Sequence, residues 1–77
     1  MKEFIEYITK QLVDKPESVI IDEKVDEDKR LLLTIRVSHD DIGKVIGKQG
    51  RTAAAMRILL TAVAAKHGKR AALEILD

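Results

Sequence analysis

A glycine-bracketed turn between two apolar helical patterns places the tightest constraint on the fold of this 77-residue chain. Gly47 and Gly50 enclose Lys48 and Gln49, so both ends of the turn can adopt backbone angles that side chains normally forbid. Backbone N–H groups exposed in such a turn can hold an anion, and without a Cβ at the glycines a ligand can approach closely. The turn is therefore a candidate phosphate-binding site.

Helical patterns flank this turn on both sides. Ile42, Val45 and Ile46 share one helical face before it, and the alanine-rich segment 51–66 predicts a long helix directly after it. Basic side chains in the same region add positive charge to the backbone donors, and one aliphatic side chain offers an apolar contact beside them. These further site residues are Lys44, Arg51, Arg57 and Ile46.

The distribution of charge favours a polyanionic ligand on this half of the chain. Residues 1–41 carry 7 basic and 11 acidic groups, whereas residues 42–77 carry 7 basic and 2 acidic groups. Because no carboxylate occurs from Ile42 to Leu73, the half that contains the turn should present a positive field. The formal net charge of +1 conceals this asymmetry.

The first half of the chain shows one helix pattern and two strand patterns. Residues 2–13 carry an apolar stripe on an amphipathic helix, and Pro16 follows its end. Strands are predicted over 18–25 and 30–37, with a turn at 26–29 between them. The second of these strands has the most regular alternation of apolar and polar residues in the chain.

The second half predicts two helices and a final strand. A short helix begins near His39, where Ser38 and Asp41 have the spacing of a capping box, and it stops at the glycine turn. The long helix is capped by Gly68, and the alternating pattern of 70–76 predicts a third strand. The order helix, strand, strand, helix, helix, strand predicts an α+β fold with three helices over one face of a three-stranded sheet.

The segment Val45-Ile46-Gly47-Lys48-Gln49-Gly50-Arg51 resembles the signature of the KH domain, in which a Gly-x-x-Gly loop joins two helices. The element order resembles the type II variant of that domain. The whole chain, residues 1–77, is similar to the small one-domain bacterial proteins of the KhpA/YlqC family. The resemblance implies binding of single-stranded RNA, because KH domains clamp about four nucleotides at this loop. It also implies a role in RNA regulation or chaperoning, as a homodimer or with a larger KH-containing protein of the KhpB type.

The long helix carries more apolar surface than one core contact needs. Met56, Leu60 and Val63 form one stripe, and a second stripe predicts self-association or a partner surface. Burial of the second stripe by the first helix is an equal alternative. The alternative function is accordingly a protein–protein interaction module with a vestigial RNA site. The second stripe consists of Ala55, Ile58, Leu59 and Ala62.

Other classes of function find little support. His39 and His67 lie in unrelated contexts, so no catalytic residue, metal ligand, cofactor or small-molecule substrate is predicted. A nucleotide-phosphate loop does not fit, because Gly43 and Gly47 are too close and neither Ser nor Thr follows Lys48. No apolar run reaches the ~20 residues of a membrane span. The absence of cysteine agrees with the expectation of a cytoplasmic protein.

Overall fold

The computed structural model describes residues 1–76 and confirms the predicted α+β fold and its element order. Asp77, the last residue of the predicted domain, lies outside the described residues. The long helix has the predicted bounds, and the first helix and the three strands differ from the prediction by one or two residues at their ends. The short helix begins three residues later than predicted, because His39–Asp41 forms a 3-10 turn before it. The helices are α1 (Lys2–Leu12), α2 (Ile42–Ile46) and α3 (Arg51–Lys66), and the strands are β1 (Ile20–Val25), β2 (Leu31–Arg36) and β3 (Ala71–Leu76).

Strand β2 lies in the centre of a mixed sheet. It pairs antiparallel with β1 through a hairpin and parallel with β3, so that Leu33 lies between Glu23 and Leu73. Successive side chains of a strand point to opposite faces, and Leu31, Leu33 and Ile35 are all buried on the face covered by the helices. The predicted alternation of β2 therefore corresponds to one core face and one open face.

Strand β1 begins two residues later than predicted. Pro16–Ser18 forms a single 3-10 turn, in which Val19 N donates a hydrogen bond to Pro16 O at 3.1 Å. Proline favours such a turn at its first position, because its φ is already fixed and no backbone donor is lost. The turn connects α1 to the sheet.

Helix α3 packs on β3 and α2 through a narrow line of side chains. Its end has the geometry of a Schellman motif, in which Gly68 N donates to Ala65 O at 3.0 Å and Lys69 N donates to Ala64 O at 2.8 Å. The predicted cap at Gly68 is thus confirmed, with a φ of 70°. The buried residues of α3 are Ala53, Met56, Leu60 and Ala64.

The second apolar stripe of α3 faces solvent. Ile58 is 70% exposed and Leu59 is 45% exposed. Helix α1 packs against β1 and α2, so the alternative in which the first helix buries this stripe does not hold. Within residues 1–76, no helix combines the length and apolar character needed to cross a membrane.

Two isoleucines on neighbouring strands provide a test of where the core lies. Ile35 is fully buried, whereas Ile20 is 54% exposed on the open face of the sheet. We expect Ile35→Ala to lower the free energy of unfolding by about 2–5 kcal/mol, through lost burial and a residual cavity. Ile20→Ala should lower it by well under half as much. Urea titration followed by circular dichroism measures the free energy of unfolding of both variants. Equal losses would show that Ile35 is not part of the core.

Candidate nucleic-acid interface

The turn between α2 and α3 is built from unusual backbone conformations. Gly47 ends α2 with φ 78° and ψ 170°, a combination that is essentially restricted to glycine. Gln49 and Gly50 follow in the left-handed region, with φ values of 57° and 75°. The chain therefore reverses direction within a few residues, and α3 begins at Arg51.

The two glycines of the turn are required for different reasons. A Cβ added to Gly47 would lie 2.1 Å from Thr52 Oγ1 and 2.8 Å from Thr52 N, distances that no packing can accommodate. A Cβ added to Gly50 would meet no atom within 4 Å. Gly47 is thus needed for its backbone angles and for close contact with α3, whereas Gly50 is needed for its angles alone.

The turn presents free hydrogen-bond donors next to positive charge. Gly50 N donates to Gly47 O at 3.0 Å, but within residues 1–76 the N–H groups of Lys48 and Gln49 have no protein acceptor. The side chains of Lys48, Gln49 and Arg51 are exposed. Two unpaired amides beside a lysine and an arginine can hold the oxygens of a phosphate group.

The structure brings Ile46 to this turn and places Arg57 further along α3. Ile46 is 39% exposed just before Gly47, whereas Ile42 and Val45 are buried in the core. Arg57 lies on the side of α3 that faces the sheet edge, where its Nε donates to Leu73 O of β3 at 3.4 Å. Arg57 therefore lines a groove between α3 and β3 and lies outside the turn.

Lys44 is bound by acidic groups of its own chain. Its ammonium donates to the carboxylate of Asp14, and it lies 3.5 Å from Oδ1 of Asp41. The hydrogen bond to Asp14 raises the pKa of Lys44 above its ordinary value, despite partial desolvation. A phosphate would have to compete with two carboxylates for this side chain, so its charge contributes less than its position in the sequence indicates.

The predicted capping box is wrong, because Asp41 makes long-range contacts instead. Its side chain is 1% exposed and accepts hydrogen bonds from Asp14 N at 3.2 Å and Lys15 N at 3.0 Å. Ser38 makes no side-chain capping bond, although its carbonyl accepts one from Asp41 N. Burial alone would raise the pKa of Asp41, but the two backbone donors and Lys44 hold it below its ordinary value. Asp41 thereby joins the end of α1 to the beginning of α2.

Comparisons with known proteins show which family this chain resembles over its length. Residues 2–75 match the family model described as KhpA/KhpB, KH domain. The RNA-binding protein KhpA of Clostridium perfringens is 49% identical over 76 residues, which cover 99% of this chain and 100% of that protein. The RNA-binding protein KhpA of Borreliella burgdorferi is 49% identical over 75 residues (97% and 90%), and that of Aquifex aeolicus is 44% identical over 77 residues (100% and 96%). No solved structure matches the chain.

The names of these relatives bear on the predicted absence of catalysis. The relatives are named as RNA-binding proteins, and the matched family is one of KH domains and is not a family of enzymes. The prediction that the chain is not an enzyme is confirmed at this level. Within residues 1–76, no group of three or more His, Cys, Asp or Glu side chains is placed to hold a metal ion.

Substitution of the two turn glycines should separate steric from conformational requirements. Gly50→Ala adds a side chain in open space at a left-handed residue, so we expect a loss of about 1 kcal/mol in the free energy of unfolding. Gly47→Ala adds a clash with Thr52 to a conformation that alanine avoids, and should cost at least about 2–3 kcal/mol. Thermal unfolding of both variants measures the difference, and a reversed order would contradict the contact with Thr52.

The contact that Asp41 makes between the end of α1 and the beginning of α2 should weaken in acid. The pKa of Asp41 is lowered in the folded state, so its contribution to stability is present above the ordinary aspartate value of about 3.9 and is lost as the pH falls below it. Asp41→Asn should lower the Tm at neutral pH by on the order of 10 °C and reduce the further loss between pH 5 and 2. The control is Asp40→Asn, whose exposed side chain pairs with Lys15 at the surface. Equal pH profiles for the parent and Asp41→Asn would disprove the link.

Proposed function

Because the chain belongs to the KhpA/KhpB family of KH domains, we propose that it binds single-stranded RNA through the turn Gly47-Lys48-Gln49-Gly50. The observation that carries this proposal is the pair of unpaired N–H groups at Lys48 and Gln49, held open by left-handed backbone and flanked by positive charge. A sugar-phosphate backbone supplies hydrogen-bond acceptors and negative charge close enough together for one short turn to contact them.

Each side chain around the turn has a distinct role in this proposal. Lys48 and Arg51 attract and position the phosphates, since both are exposed and lie in the half of the chain with few carboxylates. Ile46 offers an aliphatic surface to the base next to the clamped backbone. Lys44 can contact a phosphate only after its ion pair with Asp14 breaks. Its contribution to RNA affinity should therefore depend on salt more strongly than that of the other side chains.

The groove between α3 and β3 extends this surface for the bases. It encloses a cavity of about 270 Å³ lined by Arg57, Thr61 and the segment 71–73. Strand β3 is an edge strand, so alternate N–H and C=O groups point away from β2 and toward the groove side. Arg57 already uses one of these carbonyls, that of Leu73, and the remaining groups can pair with the edge of a base.

The exposed stripe of α3 is proposed as the dimer interface. Ile58 and Leu59 are large and exposed, and the small side chains of Ala55 and Ala62 allow a second helix to approach closely. The partner is a second copy of this chain or a larger KH-containing protein of the KhpB type. Two RNA sites of modest affinity bind one RNA more tightly when they are linked, because the second site then acts at a high effective concentration. This gain in affinity suits a role in RNA regulation or chaperoning.

One observation favours the alternative of an interaction module with a vestigial RNA site. Lys44, a basic residue close to the turn, is occupied by Asp14 and Asp41, while the stripe of α3 remains uncovered. In that alternative the chain dimerises strongly and the turn binds no RNA. Substitutions in the turn and in the stripe distinguish the alternatives, because they perturb the two surfaces separately.

Lys48→Asp with Gln49→Asp tests the turn without removing either glycine. Aspartate tolerates the left-handed conformation at position 49, so the fold should persist. We expect RNA affinity to fall at least about tenfold, because two carboxylates replace two phosphate contacts. The experiment is a titration of short single-stranded RNA followed by amide chemical shifts at two salt concentrations.

A matched control for this variant exists within the same chain. Lys10 and Gln11 form the same dipeptide on the exposed side of α1, so Lys10→Asp with Gln11→Asp changes the net charge equally. This control should retain binding, with shifts centred on residues 47–51 that weaken with salt. Equal binding by the turn variant and the parent would show that the turn is not the RNA site.

Ile58→Asp tests the stripe on α3. A carboxylate at the centre of an apolar interface should weaken dimerisation at least about a hundredfold, and sedimentation velocity should show a shift to monomer. Ile20→Asp is the control, because Ile20 is comparably exposed on the open face of the sheet. A parent protein that stays monomeric at high concentration, or an Ile58→Asp variant that dimerises as well as the parent, would show that the stripe is not a dimer interface.

A further inference from the structure

A second basic site lies at the opposite end of α3 from the glycine turn. Helix α3 has 16 residues and is therefore about 24 Å long. Beyond its C-terminus, the connection to β3 and the hairpin between β1 and β2 enclose a cavity of about 480 Å³. The residues that line this cavity are Val25, Asp28, Lys29, Leu31, Gly68, Lys69 and Arg70.

The cavity has an aliphatic floor and a cationic rim. Val25 is an apolar residue that is 66% exposed, and Leu31 is its partner on the neighbouring strand. Lys29 and Lys69 have no ion-pair partner within residues 1–76. Arg70 is fixed across the rim, since its guanidinium donates to the backbone carbonyl of Asp28 at 3.3 Å. An anion with an apolar body matches this combination.

The backbone at Lys29 is a second, independent observation. The hairpin closes with Lys29 N donating to Asp26 O and Asp26 N donating to Arg30 O, which leaves Lys29 at φ 62°. This is the bulge position of a three-residue hairpin loop, which normally takes glycine. A lysine in this conformation is uncommon, and such conformations occur at functional sites more often than elsewhere. The Asp26 carboxylate keeps the loop in place through Asp28 N and Arg30 N.

From these observations we infer that the cavity binds a ribonucleotide unit. Its phosphate is held by Lys29, Lys69 and Arg70, and its base lies on the Val25 surface. The carboxylate of Asp28, which would oppose a bare phosphate, accepts a hydrogen bond from a ribose hydroxyl. The unit is either a free nucleotide or part of an RNA strand. In the second case the inference rests on the proposed function, because the same strand would occupy the glycine turn.

The probes are uridine monophosphate, its 2′-deoxy form, inorganic phosphate, and a single-stranded RNA long enough to span α3. We expect uridine monophosphate to shift the methyl resonances of Val25 and Leu31 and the amide of Gly68. The deoxy form should bind several-fold more weakly, and phosphate alone should leave the methyl groups unshifted. Equal affinity for the deoxy form would overturn the role of Asp28, and equal methyl shifts with phosphate would overturn the role of the floor. Shifts with the strand but not with the mononucleotide would assign the cavity to RNA.

The variant that tests the rim is Lys29→Asn with Lys69→Gln. Asparagine accepts the left-handed conformation, so the Tm should not fall, while affinity at the cavity should fall at least about tenfold. The charge-matched control is Lys2→Gln with Lys24→Gln, neither of which lines the cavity. The variant Lys48→Asp with Gln49→Asp separates this inference from the proposed function, since it should abolish shifts at the turn and retain those at the cavity. Absence of cavity shifts with every probe, or equal shifts in the rim variant, would overturn the inference.

Discussion

A buried carboxylate holds the connection that follows α1 against the beginning of α2. Asp41 lies directly before α2, and its carboxylate accepts hydrogen bonds from the backbone N–H groups of Asp14 and Lys15. The same carboxylate forms an ion pair with Lys44. A carboxylate this deeply buried would be unfavourable without such partners, so the buried position of Asp41 depends on the connection after α1. Helix α2 has five residues and ends at the glycine turn. The position of the turn therefore depends on a contact made at the other end of that short helix.

The sequence predicts those helices and strands in which buried residues recur with the period of the element itself. Strand β2 and helix α3 each face one core, so their patterns contain the necessary information. Asp41 could not be assigned in this way, because an aspartate before a helix has the same local pattern whether it caps the helix or reaches a distant amide. The same limit applies to Lys44, whose partner Asp14 lies 30 positions away. At the turn, the glycine spacing indicated the site, whereas the contact between Gly47 and Thr52 emerged only from the packing of α2 on α3.

The backbone offers a common reason for the placement of both candidate sites. Among the described residues, the non-glycine residues with positive φ are Gln49 and Lys29. Gln49 lies in the glycine turn and Lys29 lies at the rim of the cavity beyond the other end of α3. A glycine would adopt this conformation at lower cost than either side chain. Departures from local preference of this kind are more frequent at functional sites than elsewhere, which is why both positions are candidates.

The parallel pairing of β2 with β3 has a consequence for the order of folding. Leu31 pairs with Ala71, which lies 40 positions later, and α2, the glycine turn and α3 all lie within the loop that this pairing closes. Closing so long a loop is entropically costly and is repaid only when both strands and α3 are packed. During synthesis, the chain therefore carries an incomplete core until β3 has left the ribosome. The turn should therefore acquire its fixed orientation only in the cooperative step that completes the sheet.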